Sequence, residues 1–507
     1  MSYSQPVQPH DMEQKKALES NITETTSPSV SESSTRNGSL ASGKSSQDLE
    51  VQKYELKIDP EALPTKKGNK LTRYLEYILT EVPDNFVTGY RRIFGVIFFS
   101  NLAVLIALIV QNKGTPKAEQ VGTAASCNLM VTLLFRQENF VNLLYEIAVC
   151  VPHATPLCIR RRLALVFHYG GGHSGAGVAA VTWYILYTAI ATKDFVDSRD
   201  PDQIPNVVTS AILLTMFLVI IFSAYPTFRV RFHDRFEAFH RFAGWICLVT
   251  FWVHIVTAAK VYAKAADQTL GIHLVKSVSF WTFLISTSCS IASWSRLRLR
   301  DVYPETLSDH AIRLHFKYKK MQPFYGLKVS TKPMTEWHAF ATIPDDDGNG
   351  NITGFSIVVS NAGDWTNKTI TDPPKKLWVR GYPLHGLLYT SRLFKKIVVV
   401  ATGSGIGPCL SLMYAEKTPC RILWSTPHPE TTYGPKIVSA VQKADPRAVI
   451  WNTRTQGRPD MVAMTYALVQ ECEAEAVFII SNPKVTKKVV YGMKTRGVAA
   501  YGAIFDS

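Results

Sequence analysis

The sequence predicts a multi-span α-helical membrane bundle of about six helices, followed by a small antiparallel β-barrel and a parallel α/β domain. Three observations predict it. Six long apolar stretches lie between about 90 and 300, arginines gather in alternate connections between them, and after about 310 short strands give way to a strand–helix rhythm. Length agrees, since 507 residues suit two or three units rather than one. The 46% hydrophobic content conceals this layout, because the apolar residues are concentrated in the middle of the chain.

Residues 1 to about 50 are rich in Ser, Thr, Glu and Gln, with no aromatic side chain after Tyr3. Such a segment buries too little apolar surface to offset its ordering entropy, so 1–85 reads as a disordered tail. It lacks the apolar run of a secretory signal.

The apolar stretches run at roughly 92–111, 123–150, 164–192, 206–226, 241–259 and 278–296. Each approaches or exceeds the ~20 residues that cross a hydrocarbon core as a helix, giving a transmembrane domain over 90–300. The second is the weakest, because Arg136 and Glu138 interrupt it. Arg91 and Arg92 precede the first stretch, and Arg160, Arg161 and Arg162 follow the second. Arg229, Arg231 and Arg235 follow the fourth, and Arg296, Arg298 and Arg300 follow the sixth. The alternate connections hold Lys113 and Lys117, the acidic run Asp194–Asp200, and Lys260 with Lys264. Arginines at every second connection place those connections and both termini on the cytoplasmic side of a plasma membrane or endomembrane. The net charge of +15 is then a consequence of topology in a lipid bilayer, and nucleic acid is not an expected partner. The eight cysteines form no CxxC pair and no zinc-like spacing, which points to reduced, largely buried thiols.

Short alternating segments at 314–317, 327–329, 337–340, 355–359 and 377–379, separated by Gly, Pro and Asp, predict an antiparallel barrel over 310–392. From 393 to 507, strand candidates at 396–401, 421–425, 448–453, 476–481 and 498–505 alternate with amphipathic stretches, as in a parallel sheet covered by helices. Asp345-Asp346-Asp347-Gly348 begins like a calcium loop but lacks its terminal glutamate, so it reads as a solvated turn.

The sharpest motif is Gly403-Ser404-Gly405-Ile406-Gly407-Pro408, directly after the apolar strand Ile397–Ala401. Glycines at a strand-to-helix turn let backbone approach a ligand closely, and the helix start favours a phosphate. The terminal proline departs from the ordinary dinucleotide fingerprint, and no Gly-Lys-Ser/Thr follows to make a P-loop.

With these residues the chain resembles the ferredoxin-reductase-like module of the ferric reductase and NADPH oxidase superfamily. Gly403, Gly405 and Pro408 match its Gly-x-Gly-x-x-Pro turn. His338-Ala339-Phe340-Ala341 is similar to its His-Pro-Phe-Thr flavin segment, without the proline and the hydroxyl. Gly363-Asp364-Trp365-Thr366 and Gly457-Arg458-Pro459-Asp460 are further likenesses, and Ser481-Asn482-Pro483 stands where the family has Cys-Gly-Pro. Within the superfamily the likeness extends to fungal TmpA-type membrane oxidoreductases, associated with asexual development (conidiation). The resemblance implies FAD held at His338, Phe340, Asp364, Trp365, Thr366 and Gly381, with Phe505 as an aromatic neighbour of the flavin. It implies NADPH or NADH held along Gly403, Gly405, Gly407, Pro408 and Arg458, with Ser481 at the hydride-transfer position and Arg454 and Arg458 able to favour the extra phosphate of NADPH. It also implies a membrane-bound NAD(P)H-dependent flavin oxidoreductase, delivering electrons to an acceptor that no motif identifies. A missing flavin hydroxyl at Ala341, worth of order 1 kcal/mol, a missing cysteine at Ser481 and a His254 without a partner histidine favour the alternative, a membrane signalling or scaffold protein that binds nucleotide or flavin without efficient turnover.

Histidines in the apolar stretches form a second constellation. His240 and His254 are fourteen residues apart, which puts them on one helix face about 21 Å from each other. The superfamily uses that spacing for one ligand to each of two stacked haems, each needing a second histidine from another helix. His168 and His173 are candidates to partner His240; nothing of the kind lies level with His254, so at most one haem b is expected. The alternative is that these histidines hydrogen-bond within the bundle. Gly170-Gly171-Gly172 could admit a flat cofactor or allow close helix packing.

Overall fold

The computed structural model describes residues 88–503, apart from 115, 348, 416 and 417. The expected tail over 1–85 and the expected flavin neighbour Phe505 lie outside the described residues.

The helical part runs α1 (Gly89–Gln111), α2 (Ala118–Leu134), α3 (Glu138–Val149), α4 (Leu157–Leu163), α5 (Gly170–Ser198), α6 (Ile204–Ser223), α7 (Pro226–Arg231), α8 (His233–Ala265), α9 (Leu270–Lys276) and α10 (Val278–Trp294). Among the described residues, α1, α5, α6 with its preceding turn, and α8 are long and apolar enough to cross a membrane. The pair α9–α10, bent by 69° at Ser277, makes a fifth candidate. The expectation of about six spans is therefore corrected at the second stretch. That stretch breaks between Leu134 and Glu138, where the Gln137 side chain accepts the Phe140 N–H (2.7 Å) and starts a new helix. The capping residue, Gln137, stands between the two charges, Arg136 and Glu138, that weaken the apolar pattern there.

α5 is the hub, with Trp183, Tyr184 and Tyr187 fully enclosed. The glycine run at its start serves helix packing: a Cβ on Gly171 would stand 2.3 Å from the Tyr90 carbonyl oxygen, and one on Gly175 would stand 2.9 Å from that of Phe94.

The barrel consists of β1 (Arg298–Asp301), β2 (Tyr303–Thr306), β3 (Ala311–Phe316), β4 (Tyr325–Ser330), β5 (His338–Ala341), β6 (Ile343–Asp346), β7 (Ile352–Ser360), α11 (Asp364–Thr371) and β8 (Lys376–His385). Its strands form two antiparallel sheets, in the orders β1-β8-β4-β5 and β2-β3-β7-β6, over a core that includes Leu314, Phe316, Val329, Phe355 and Leu377. β1 and β2 begin upstream of the expected start at 310. Arg298 and Arg300, read from the sequence as loop cations, lie in β1, paired with Val379 and Leu377.

The last part contains β9 (Ile397–Thr402), α12 (Ile406–Ala415), β10 (Cys420–Thr426), α13 (Pro429–Tyr433), α14 (Pro435–Ala444), β11 (Val449–Asn452), α15 (Met461–Cys472), β12 (Ala476–Ile480), α16 (Pro483–Lys494) and β13 (Ala499–Gly502). All its strand pairs are parallel, in the order β11-β10-β9-β12-β13. The order reverses between β9 and β12, the kind of place where open α/β sheets bind ligands.

α3 joins the two halves. Glu138, Asn142 and Glu146, spaced four apart, share one face of the helix and meet alternate residues of β8 or the strand itself. A Cβ on Gly381 would fall 2.4 Å from Glu138 Oε1. Asn142 donates to the Pro383 carbonyl (2.8 Å) and accepts the His385 N–H (2.9 Å), while Glu146 lies 3.0 Å from His385 Nε2. Below it, Arg160 of α4 makes a bidentate pair with Glu475 (2.8 and 3.0 Å) and donates to the Leu393 carbonyl (2.7 Å). The arginine-bearing ends of the helices thus face the reductase-like part, and Lys260 and Lys264 pair with Asp200 and Asp202 at the other end. All eight cysteines are free, but only Cys247 and Cys409 are fully buried, and Cys150 and Cys158 are exposed.

Candidate functional site

The nucleotide candidates gather at the C-terminal edge of the parallel sheet. β9 ends at Thr402, and a 3-10 turn over Gly403–Gly405 leads into α12. Gly403 has φ +50, in the region that favours glycine. Gly405 is fixed by space, since a Cβ there would stand 2.1 Å from the Ile480 carbonyl oxygen at the end of β12. Trp424 Nε1–H donates to the Gly403 carbonyl (3.0 Å) and holds the turn from β10. A Cβ on Gly407 would stand 3.7 Å from Val358 of the barrel, an ordinary contact, so its lack of a side chain is not forced. Pro408 sits in the first turn of α12, where a missing N–H leaves no helical bond unmade.

Ser481 follows β12 and is buried, its hydroxyl 2.5 Å from that of Thr402. The two hydroxyls face each other across the point where strand order reverses. Arg458 is exposed in the loop after β11, with no hydrogen bond or ion pair among the described residues. Asp460 is committed to capping α15 through the N–H groups of Val462 and Ala463 (2.9 and 3.2 Å). Tyr501 packs in the core instead of at a ligand edge, and its hydroxyl donates to the Arg161 carbonyl (2.9 Å).

The flavin candidates divide. His338 and Phe340 of β5 come together with Trp365 of α11: His338 stacks on Trp365 (4.2 Å between centroids, 25° between planes) and Phe340 lies 5.8 Å from it. His338 Nε2 and Trp365 Nε1 are buried without hydrogen-bond partners, the condition in which a bound polar group would complete them. Burial lowers the pKa of His338 despite Glu336, whose carboxylate is 3.8 Å away. Asp364 is exposed. Thr366 spends its hydroxyl on the chain itself, accepting the Ala362 and Gly363 N–H groups (2.8 and 2.9 Å) and donating to the Gly363 carbonyl (2.8 Å). Gly381, with φ +77, lies against Glu138 of α3.

In the bundle, His173 of α5 and His240 of α8 face each other with ring centroids 6.2 Å apart and planes 55° apart. Metal–imidazole bonds are roughly 2 Å, so two histidines on opposite sides of one metal ion have ring centres about 6 Å apart. His173 Nδ1 lies 2.9 Å from the Thr132 carbonyl and must be its donor, which frees Nε2 as a lone pair. His240 Nδ1 has no partner. These are the two residues that would hold a haem iron between them, were one bound. His168 packs on Phe167 (4.0 Å) and against Gly89, with no ring contact to His240 among the described residues. His254 is satisfied: Nδ1 lies 3.1 Å from Thr209 Oγ1 and Nε2 lies 3.4 Å from the Tyr184 hydroxyl. No group of three or more His, Cys, Asp or Glu ligands occurs among the described residues.

Sequence reasoning missed Thr402, Trp424, and the α3 stripe of Glu138, Asn142 and Glu146. The stripe had a signal, polar residues every fourth position inside an apolar stretch.

Residues 387–507 match the family described as adenylate-forming reductase 03009, C-terminal domain. The chain is 42% identical over 468 residues to adenylate-forming reductase 03009 of Coprinopsis cinerea, covering 92% of this chain and 44% of that protein. It is 41% identical over 447 residues to adenylate-forming reductase 06235 of the same fungus, covering 88% of this chain and 42% of that protein. The chain thus spans less than half the length of these relatives. Neither name refers to asexual development or to iron. Among solved structures, a ferredoxin NADP+ reductase from Neisseria gonorrhoeae with bound FAD and NADP matches 41% of this chain and 99% of its own, at 13% identity and a TM-score of 0.33. A flavohemoglobin from Malassezia yamatoensis with bound FAD and heme matches 75% of this chain and 98% of its own, at 11% identity and a TM-score of 0.36.

Proposed function

We propose that the chain is a membrane-bound NAD(P)H-dependent flavin oxidoreductase of the ferric reductase and NADPH oxidase type, with the reductase part on the cytoplasmic side. The observation that carries this reading is the Gly403–Gly405 turn at the strand-order reversal, with the Thr402 and Ser481 hydroxyls beside it. There the turn and the start of α12 bind a pyrophosphate, and exposed Arg458, with Arg454, receives an outlying phosphate. His338, Phe340 and Trp365 form the aromatic wall for the flavin. FAD and a nicotinamide dinucleotide, when bound, supply hydride and electron transfer. The protein's part is to orient them: Gly405 keeps the nucleotide turn against β12, and Ser481 occupies the position beside the nicotinamide. His173 and His240 would hold a single haem b.

Both relatives are named adenylate-forming reductases, neither name specifies an acceptor, and organic compounds are to be tried as acceptors beside iron and dioxygen. A second reading, a ligand-binding membrane scaffold without efficient turnover, draws on Thr366, whose hydroxyl is consumed by its own helix cap, and on Ala341.

The deciding experiment is the absorption spectrum of the full chain in detergent, before and after NADPH. A flavin band that bleaches supports the enzyme, and a flavin band that persists supports the scaffold. Neither a flavin nor a Soret band would sink both.

A further inference from the structure

α8 carries one exposed apolar stripe along its length. Phe239, Phe242, Ile246, Val249 and Val253 are all exposed, at alternating steps of three and four residues, which is one face of a helix. Leu218 and Phe222 do the same at the end of α6. Both helices are long and apolar enough to cross a membrane, so such stripes face lipid chains. At the end that faces the reductase part, α7 lies between them. Its Val230 is 84% exposed, and Tyr225, just before it, is 64% exposed. Apolar surface that open is unfavourable in water and marks a place where the chain meets something else.

The arginines of this turn continue the α8 stripe. Arg235 stands four residues, about 6 Å, before Phe239 on the same face of α8. Glu237, two residues further on, lies roughly 200° around the helix. There it pairs with Arg241 (3.1 Å), which also donates to the Met334 and Thr335 carbonyls of the barrel. The other acid of the turn, Asp234, is near enough to the barrel for its charge to act on His338. The acids thus serve the barrel side, and Arg235 faces away from it. Arg231 and Arg235 both lie against the Phe232 ring, 5.5 and 5.4 Å from its centroid, and neither has a hydrogen bond or ion pair among the described residues. A ring steadies a guanidinium without occupying its N–H donors.

We propose that α7 and the first turn of α8 bind the headgroup of an anionic phospholipid, with Arg231 and Arg235 on its phosphate and its chains along the α8 stripe. The proposal needs the helices to cross a membrane and is independent of the flavin and haem readings. Two guanidiniums steadied by one ring suit a phosphate with several anionic oxygens, and they stand where a lipid-facing stripe ends, at headgroup depth. A soluble anion would leave the apolar side chains beside them uncovered, and an acidic protein segment would have to displace lipid from the stripe. The surface fits the bilayer itself.

The test is lipid retention. The full chain is reconstituted in phosphatidylcholine vesicles with equal minor shares of phosphatidylserine, phosphatidylinositol and phosphatidic acid, then re-extracted in mild detergent, and the lipid it retains is measured by mass spectrometry. At least one anionic class is expected to be enriched fivefold or more over its share of the vesicles, and the double variant Arg231→Gln, Arg235→Gln to bring that enrichment below twofold. Replacing both arginines by lysine keeps the charges and should retain most of it. Lys260→Gln with Lys264→Gln, at the other end of the bundle, should leave it unchanged. Thermal melting separates a folding defect from lost binding; if the double glutamine variant does not fold, each single glutamine variant is expected to show at least a twofold loss. No enrichment in the wild type, equal enrichment in the glutamine variants, or an equal loss in the Lys260 and Lys264 variant overturns the site. Release of the retained lipid by millimolar inorganic phosphate would assign the arginines to a soluble phosphate and overturn it as well.

Discussion

The inner and outer ends of the helical bundle are built on opposite principles. At the outer end the polar groups answer one another: His254 engages Thr209 and Tyr184, and Lys260 and Lys264 engage Asp200 and Asp202. At the inner end, facing the reductase part, the Arg160–Glu475 pair and the polar stripe of α3 do the docking, while His240 Nδ1, Arg380 Nε and His338 Nε2 are left open. A buried polar group without a partner costs stability, so a cluster of them beside one junction marks where the chain accommodates something other than itself. The outer end is completed by the chain itself, and the inner end is not.

The widest separation between the two ends should appear in their ion pairs. Arg160→Ala removes a nearly buried cation and leaves Glu475 facing a lost partner, and should cost about 3 kcal/mol, read as a lowered midpoint of thermal unfolding in detergent. A change below the scatter of the melts would mean that docking relies on α3 instead. Next come the two histidines of α8. His254→Ala should cost about 1–2 kcal/mol by stripping partners from Thr209 and Tyr184, with no change in the visible spectrum. His240→Ala should leave the melting midpoint nearly unmoved and abolish any Soret absorbance. If both variants behave alike, the contrast between open and satisfied histidines is wrong.

A smaller effect is expected from pH, at the clasp between barrel and nucleotide part. His315 lies 2.7 Å from Asp345 and 3.0 Å from Glu305, which also pairs with Lys436. The hydrogen bond to Asp345 raises the His315 pKa, so its stabilisation is full below the ordinary histidine value and is lost as pH rises through the raised one. Burial alone would raise the carboxyls of Glu305 and Asp345, but their bonds to Lys436 and His315 bring both below the usual range. That contribution is present above the ordinary carboxylate value and fades as pH falls through the lowered one. Melting midpoints between about pH 5 and 9 should therefore decline on the alkaline side, and His315→Gln should flatten that decline. The smallest effect belongs to Lys264→Ala at the outer end, where both partners are open to solvent: no shift beyond the scatter at 0.15 M salt is expected, and a large one would contradict the view of these pairs as surface decoration.

Much of this was legible in the sequence because it depends on short-range pattern. The run Ile397–Ala401 followed by glycines specified a strand, a turn and a helix start, and these are β9, the Gly403–Gly405 turn and α12. His240 and His254 share a face of α8 because helix periodicity alone requires it. The pairing of His240 with His173 rather than His168 was not legible. It depends on a 3-10 turn over Ala164–His168 that delays the start of α5 and turns His168 toward Gly89. The fate of 123–150 was half legible, since the interrupting charges were visible and the strand they dock against was not.

The sequence by itself determined the kinds of element, their order, and which connections carry arginine, because hydrophobic period and turn chemistry act over a few residues. Only the tertiary structure decided which polar groups are completed by the chain and which are left open. Lys328 and Arg380 are more than fifty residues apart, and nothing local marks them as a pair. Strand register brings them together, and register is settled by the packing of the whole sheet against the bundle.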